Sequence, residues 1–153
     1  MNDPGIVTPA KPAVHVESVG AGPPLVLLHG WALAILGATL VLVEGVPDYP
    51  QPGRLWKLVQ DHRISFLGVA PTMIRAFMQQ PEPEFRKYDL GSLRVTAATG
   101  GPWTPEAWNW LRHEGCSGRV PLLNYSGGTE IGGGIVSGTM LHQDLKPCAF
   151  AGP

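Results

Sequence analysis

Charged side chains are scarce in this sequence. Asp, Glu, Lys and Arg make up 15% of the 153 residues, while hydrophobic residues make up 44%. The formal net charge is −1, and no run of basic residues carries interleaved aromatics. The sequence therefore gives no electrostatic basis for binding nucleic acid or an anionic membrane. The length suits one domain, and so low a charge is typical of the interior of a larger domain.

Cysteine is scarce as well, since the chain has only Cys116 and Cys148. Neither has a histidine or cysteine at ligand spacing, so the pair forms no disulfide framework or metal pattern. We expect reduced thiols and a cytoplasmic location. The G-x-S-x-G motif of a nucleophile elbow is also missing. The segment Gly115–Arg119 comes closest, but its last residue is Arg119 rather than glycine.

One segment, Pro23–Val43, lacks charged residues altogether. Its length would suit a membrane span. It nevertheless contains His29, Gly30, Gly37 and Thr39, and its flanks show no strong positive bias. Two buried strands around a turn account for it equally well. We therefore expect no membrane association.

Short apolar runs alternate with segments of helical periodicity along the chain. Strands are predicted over Leu25–Leu28, Ala38–Glu44, Ser65–Ala70, Leu93–Ala97, Val120–Tyr125 and Gly134–Met140. Helices are predicted over Arg54–His62, after a cap at Thr72, and from Thr104-Pro105-Glu106 to near Gly115. This alternation predicts an α/β fold with a partial, mostly parallel sheet and helices on its faces.

The most informative segment is the glycine-rich stretch Asn124–Gly134, with the sequence NYSGGTEIGGG. Glycines let the backbone approach an anion closely and direct its N–H groups toward it. The hydroxyl of Thr129 suits a phosphate oxygen, and the carboxylate of Glu130 suits Mg²⁺. The alternative is a tight turn between two strands. A second segment, Thr99–Pro102, also follows a strand end. Both segments should therefore lie at one edge of the sheet, where ligands bind in such folds.

Five segments together resemble the large domain of the adenylate-forming acyl-CoA synthetases, close to the acetyl-CoA synthetase branch. In order, they are LGATLVLVEGVPDYP (Leu36–Pro50), ISFLGVAPTMIRAFM (Ile64–Met78), LGSLRVTAATGGPWTPEAWNW (Leu90–Trp110), NYSGGTEIGGG (Asn124–Gly134) and LKPCAFAGP (Leu145–Pro153). The resemblance covers about residues 34–153. It implies ATP, Mg²⁺ and CoA as cofactors and a small-molecule carboxylate as substrate.

The resemblance also implies roles for particular residues. Gly100, Gly101 and Pro102 would line an adenine pocket, and Tyr125 would stack on the base. Ser126, Gly127, Gly128 and Thr129 would complete the nucleotide site, with Thr129 on phosphate, and Glu130 would ligate Mg²⁺. No single residue is assigned a catalytic role.

The sequence departs from the family pattern in several ways. Similar members carry an acidic residue where Gly101 stands, and many place an aromatic where Ser126 stands. The family's phosphate-binding loop has no counterpart here. Its ribose-binding aspartate and its small domain with the catalytic lysine would fall after Pro153. The expectation is a portion of a synthetase that is inactive by itself.

The beginning of the chain resembles a different family. Val14–Leu33, VHVESVGAGPPLVLLHGWAL, is similar to the start of an α/β-hydrolase, with His29-Gly30 beside the oxyanion hole. The chain is accordingly divided into a tail (1–13), a hydrolase-like segment (14–33) and a synthetase segment (34–153). Two alternative functions follow, a carboxylesterase remnant and a non-enzymatic nucleotide-binding or assembly module. Exposed edges of an incomplete sheet would favour self-association.

Overall fold

The computed structural model describes residues 24–26, 39–41, 43, 45–128, 131, 133–141 and 146–152. The strands are β1 (Pro24–Val26), β2 (Thr39–Val41), β3 (Phe66–Val69), β4 (Val95–Ala98), β5 (Leu122–Gly128) and β6 (Gly133–Ser137). The α-helices are α1 (Arg54–Asp61), α2 (Pro71–Met78) and α3 (Pro105–Trp110), joined by a 3₁₀ helix (Glu84–Lys87) and a π turn (Leu111–Gly115). The 3₁₀ helix lies between α2 and β4.

The strands form one sheet in the order β2-β1-β3-β4-β5-β6. Neighbours from β2 to β5 are parallel, and the last pair, β5 and β6, is antiparallel. The predicted α/β class with a partial, mostly parallel sheet is confirmed. Val69 pairs with Ala98, and Ala98 pairs with Asn124. The carboxyl ends of β3 and β4 therefore lie level with the middle of β5.

The hydrophobic core lies between the sheet and the helices. Helix α1 buries Leu55, Leu58 and Val59, the face that its periodicity predicts. Trp56 is only 1% exposed, and its ring centroid lies 5.6 Å from that of Phe77 in α2. The ring of Phe85 in the 3₁₀ helix lies 5.8 Å from Trp56. One aromatic cluster thus fastens α1, α2 and the 3₁₀ helix together.

Of the two helix caps predicted at the starts of α2 and α3, the structure confirms one. The predicted cap at Thr104 is confirmed, since its Oγ1 accepts a hydrogen bond from the Ala107 N–H at 3.4 Å. The predicted cap at Thr72 is wrong. Helix α2 begins at Pro71, so Ala70 holds the cap position and makes no side-chain cap. Proline has the backbone angle and the missing N–H that suit the first helical position.

The glycine-rich stretch differs most from expectation. Its first part was predicted as a loop after residue 125, but Tyr125–Gly128 continue β5 and pair with β6. Antiparallel pairing tolerates these glycines because β6 supplies partners for their backbone groups. A bulge interrupts the register between Ser126 and Gly127. The predicted final strand ends earlier than expected, at Ser137.

Several predictions fall on residues outside the described part of the chain. These include His29-Gly30, residues 27–38 of the uncharged segment, and both Thr129 and Glu130. Within the described residues, no helix is long and apolar enough to cross a membrane.

Candidate functional site

The site predicted from the sequence lies at one edge of the sheet, where β4 ends and β5 continues. Because Ala98 pairs with Asn124 in parallel register, Thr99 leaves β4 beside Tyr125 of β5. The Thr99 N–H donates to the carbonyl of Val69 at 3.2 Å, so the loop also remains bonded to the end of β3. We call this region the carboxyl edge, made of the loop 99–102 and the strand segment 125–128.

The loop 99–102 turns sharply, and its residues are exposed except for Thr99, which is half-buried. Gly100 has φ +91°, a left-handed conformation that favours glycine. Pro102 is held from the side by α2, because Nη1 of Arg75 donates to its carbonyl oxygen at 3.1 Å. No local pattern predicts this contact, since Arg75 and Pro102 are 27 residues apart in the chain and share no motif. Arg75 thus fixes the end of a loop that was predicted to bind nucleotide.

Gly101 is sterically free. A Cβ built at this position meets no heavy atom within 4 Å, and its φ lies outside the left-handed region. Gly101 is therefore not required by the backbone, in contrast to Gly100. A residue with a Cβ could stand here without a clash at that atom.

The strand segment 125–128 forms the other wall of the carboxyl edge. Ser126 and Gly127 are exposed, while Tyr125 and Gly128 are half-buried. The Tyr125 ring packs against Gly134 of β6 so closely that any side chain at 134 would clash with it. The ring is thus held by the hairpin, and a base could stack only on a face that Gly134 leaves open. The predicted ligands Thr129 and Glu130 follow directly but lie outside the described residues.

Asn124 organises the strand below this edge. Its side chain is buried, and Nδ2 donates to the carbonyl of Cys148 at 2.8 Å. Its own carbonyl accepts from the Gly138 N–H at 2.6 Å. At the end of β6, the Ser137 N–H donates to the Gly152 carbonyl at 3.0 Å, and the Ala151 N–H donates to the Ser137 carbonyl at 2.9 Å. Asn124 therefore fastens the segment 146–152 to the sheet. The sequence signal for this role is a polar residue that directly follows an apolar run.

The cysteines do not contribute to the carboxyl edge as reactive groups. Burial raises the pKa of the Cys116 thiol above its usual value, partly opposed by a hydrogen bond to Thr96 Oγ1 at 3.6 Å. Burial, and to a lesser degree the Glu106 carboxylate, raises the pKa of the Cys148 thiol. Raised pKa values keep both thiols protonated and weakly nucleophilic at neutral pH.

The described part of the carboxyl edge presents backbone groups, hydroxyls and the Arg75 guanidinium. Among the described residues, no group of three His, Cys, Asp or Glu side chains could hold a metal ion. A parallel sheet with glycine-rich segments at its carboxyl edge is the arrangement of nucleotide-binding α/β proteins. The fold and the site define this class.

Comparison with known proteins identifies the family. The model of the AMP-binding enzymes matches residues 25–152. The chain belongs to this family, and its acyl-CoA synthetase character, predicted from the five segments, is confirmed. The match begins at residue 25 and so includes the last part of the hydrolase-like segment.

Several similar relatives are acetyl-coenzyme A synthetases. That of Wolinella succinogenes is 39% identical over 115 residues, covering 74% of this chain and 18% of the relative. That of Methanothrix soehngenii is 41% identical over 125 residues, covering 80% and 18%. Acetoacetyl-CoA synthetase from Streptomyces lividans shares the fold with a TM-score of 0.65 and 21% identity, covering 87% of this chain and 21% of that one. The chain thus spans about a fifth of the length of the proteins it matches.

Proposed function

We propose that this chain forms part of the nucleotide site of an ATP-dependent acyl-CoA synthetase. In the first half-reaction, a carboxylate oxygen attacks the α-phosphorus of ATP, the bond to pyrophosphate breaks, and an acyl adenylate forms. In the second, the thiol of CoA attacks the acyl carbon, AMP leaves, and a thioester results. Positioning of the reactants and neutralisation of phosphate charge supply most of the catalysis in such reactions.

The carboxyl edge supports this proposal. A glycine-rich loop leaves β4 beside the glycine-rich end of its parallel neighbour β5, and the Arg75 guanidinium fastens that loop. This convergence, which no local motif requires, is the observation that carries the proposal. In the proposed site, Gly100, Gly101 and Pro102 line the adenine pocket, while Ser126, Gly127 and Gly128 lead the chain to the phosphates. Tyr125 would contact the base with the ring face that Gly134 leaves open.

Thr129 and Glu130 are proposed to hold the phosphates and Mg²⁺. The fit rests on the chemistry of the donors, because Mg²⁺ prefers oxygen ligands and is commonly held by one or two carboxylates together with substrate phosphates. The metal would offset the negative charge on the phosphates when bound. The protein's part is to supply a hydroxyl and a carboxylate directly after β5 in the sequence.

We further propose that these 153 residues bind nucleotide without turning it over. They contain no serine-, threonine- and glycine-rich segment with a lysine that could serve as a phosphate-binding loop. A small carboxylate, ATP and CoA would be the partners of the complete catalytic unit, in the cytoplasm.

Calorimetric titration with Mg-ATP tests the proposal. We expect saturable binding that weakens at least about tenfold in Glu130→Ala, since a metal-ligating carboxylate contributes more than one net hydrogen bond. Glu82→Ala, which removes an exposed carboxylate elsewhere, is the matched control and should bind normally. Equal affinity of the Glu130 and Glu82 variants would refute the role of Glu130. Formation of acyl adenylate from Mg-ATP and a short carboxylate would refute the absence of turnover.

A further inference from the structure

The three helices pack against the same face of the sheet. Each of them contributes buried residues to one cluster, which also contains Leu67, Val69 and Ala98 from the strands. Leu67 is in register with Thr96, and Val69 is in register with Ala98, so these four side chains point to the same side of the sheet. We call this side the core face and the opposite side the second face.

The second face is apolar but less buried. On β3, β4 and β5, its described large or apolar side chains are Phe66, Val95, Ala97, Leu123 and Tyr125. All of them are half-buried, whereas Leu67 and Thr96 on the core face are fully buried. None of them belongs to the core cluster of the described residues. Parallel sheets are normally covered on both faces, so the second face needs a covering element of its own.

The order of the strands indicates where this cover comes from. The connections through α1, α2 and α3 all run in one direction across the sheet, from β2 to β3, β4 and β5, and all lie on the core face. The connection from β1 to β2 runs in the opposite direction, because β1 lies between β2 and β3. About 98% of crossovers between parallel strands are right-handed. A right-handed connection in the reversed direction passes over the opposite face, which is the second face.

The connecting segment, residues 27–38, has the length and the composition for this position. Parallel neighbours need a crossover of about a dozen residues or more, and this segment has the sequence LLHGWALAILGA. It carries no Asp, Glu, Lys or Arg. A segment that is apolar on all sides has to be buried, so it needs a surface such as the second face as much as that face needs a cover.

The area of the second face distinguishes this segment from a second copy of the chain. Strands of four residues, about 3.3 Å per residue and about 4.8 Å apart, give the face from β2 to β5 a flat area of about 250 Å². A stable dimer buries about 800 Å² on each partner, so this face is too small to hold a second copy by itself. A helix of a dozen residues is about 18 Å long and about 10 Å wide, so one such element would cover most of the face.

We propose that residues 27–38 pack across the second face and cover its apolar side chains. The uncharged segment Pro23–Val43 is then an internal crossover between two parallel strands rather than a membrane span. This packing does not depend on nucleotide binding, so it can be tested on the chain without ligand.

Methyl nuclear magnetic resonance of the full chain, with Ala, Ile, Leu and Val methyl groups labelled, tests this packing. We expect nuclear Overhauser contacts from the methyl groups of residues 33–36 to those of Ala97 or Leu123. Contacts from the same residues to Leu67 or Val69 would put the segment on the core face and overturn the proposal. The absence of any contact between the segment and the second face would overturn it as well.

A charge on the second face gives an independent test. Leu123→Asp puts an unpaired carboxylate beneath the segment, so amide hydrogen exchange of residues 31–36 should become at least about tenfold faster. Ile135→Asp is the matched control, because Ile135 is exposed on β6, and it should leave this exchange unchanged. Protected amides in α1 and α2 would show that both variants remain folded. Equal exchange of residues 31–36 in the two variants would contradict the proposal.

Sedimentation of the same proteins tests the alternative occupant. The proposal predicts that Leu123→Asp and Ile135→Asp have the same mass as the wild type at each concentration. A wild-type dimer that Leu123→Asp dissociates and Ile135→Asp does not would assign the second face to a second copy of the chain instead.

Discussion

Replacing Arg75 with Gln tests whether the loop 99–102 is held ready for nucleotide. In the structure, Nη1 of Arg75 donates to the Pro102 carbonyl across 3.1 Å. Glutamine is shorter and uncharged, so this bond is lost and the loop must be ordered when ATP binds. We therefore expect a loss of Mg-ATP affinity, together with a loss of folding stability no larger than the contribution of this one bond.

The magnitude follows from the bond and its exposure. A hydrogen bond from a charged donor contributes about 1.5–3 kcal/mol when shielded. Arg75 is only half-buried, so we discount the contribution to about 1 kcal/mol for solvent screening. This corresponds to a roughly fivefold rise in the Kd for Mg-ATP. The bond also exists in the free protein, so the free energy of unfolding should fall by no more than about 1 kcal/mol.

Calorimetry gives the Kd and urea unfolding gives the stability of the same protein samples. Arg94→Gln is the control for the loss of one positive charge, because ATP is an anion and any arginine attracts it at long range. Equal affinity of the Arg75 variant and the wild type would refute the anchoring role of the Arg75 contact. An equal loss in the Arg94 variant would assign the effect to net charge instead.

Three further predictions concern stability and assembly. Trp56→Ala should lower the free energy of unfolding by about 3–5 kcal/mol, measured by urea titration, because a buried ring at the centre of the aromatic cluster is lost; a loss under about 1 kcal/mol would contradict the packing. Burial raises the pKa of Cys116 above the ordinary 9.0, so its unfolded thiol ionises first and stability should fall as pH rises past that value. The midpoint of urea unfolding should therefore fall between about pH 7.5 and about pH 9.5, and it should fall further in the wild type than in Cys116→Ala. An equal fall in the two proteins would contradict a raised Cys116 pKa. Strand β2 pairs only with β1 among the described residues, so light scattering should show a mass that rises with concentration; a constant monomer mass would contradict self-association.

The central part of the fold could be predicted from the sequence because its signals are local. The apolar run before Pro71 predicts a strand, and the Thr104-Pro105-Glu106 cap predicts the start of a helix. Each signal depends on only a few adjacent residues. Parallel strands then follow from alternation with helices. The family assignment rests on such segments occurring in order, which is why it agrees with the comparisons.

The remaining features depend on contacts between distant residues. Local sequence does not reveal that β1 lies between β2 and β3, or that Arg75 reaches Pro102. Glycines in Gly127-Gly128 indicated a loop, because glycine is unfavourable in isolated strands. The β6 pairing overrides this preference and accommodates Gly134 beneath the Tyr125 ring.

Thermal unfolding of the purified chain with and without Mg-ATP tests the nucleotide site most directly. A ligand that binds only the folded state raises the transition temperature. The proposed site predicts one cooperative transition that rises with Mg-ATP in the wild type and rises less in Glu130→Ala. A transition that does not move with Mg-ATP, or a broad transition without cooperativity, would contradict a nucleotide site formed by these residues.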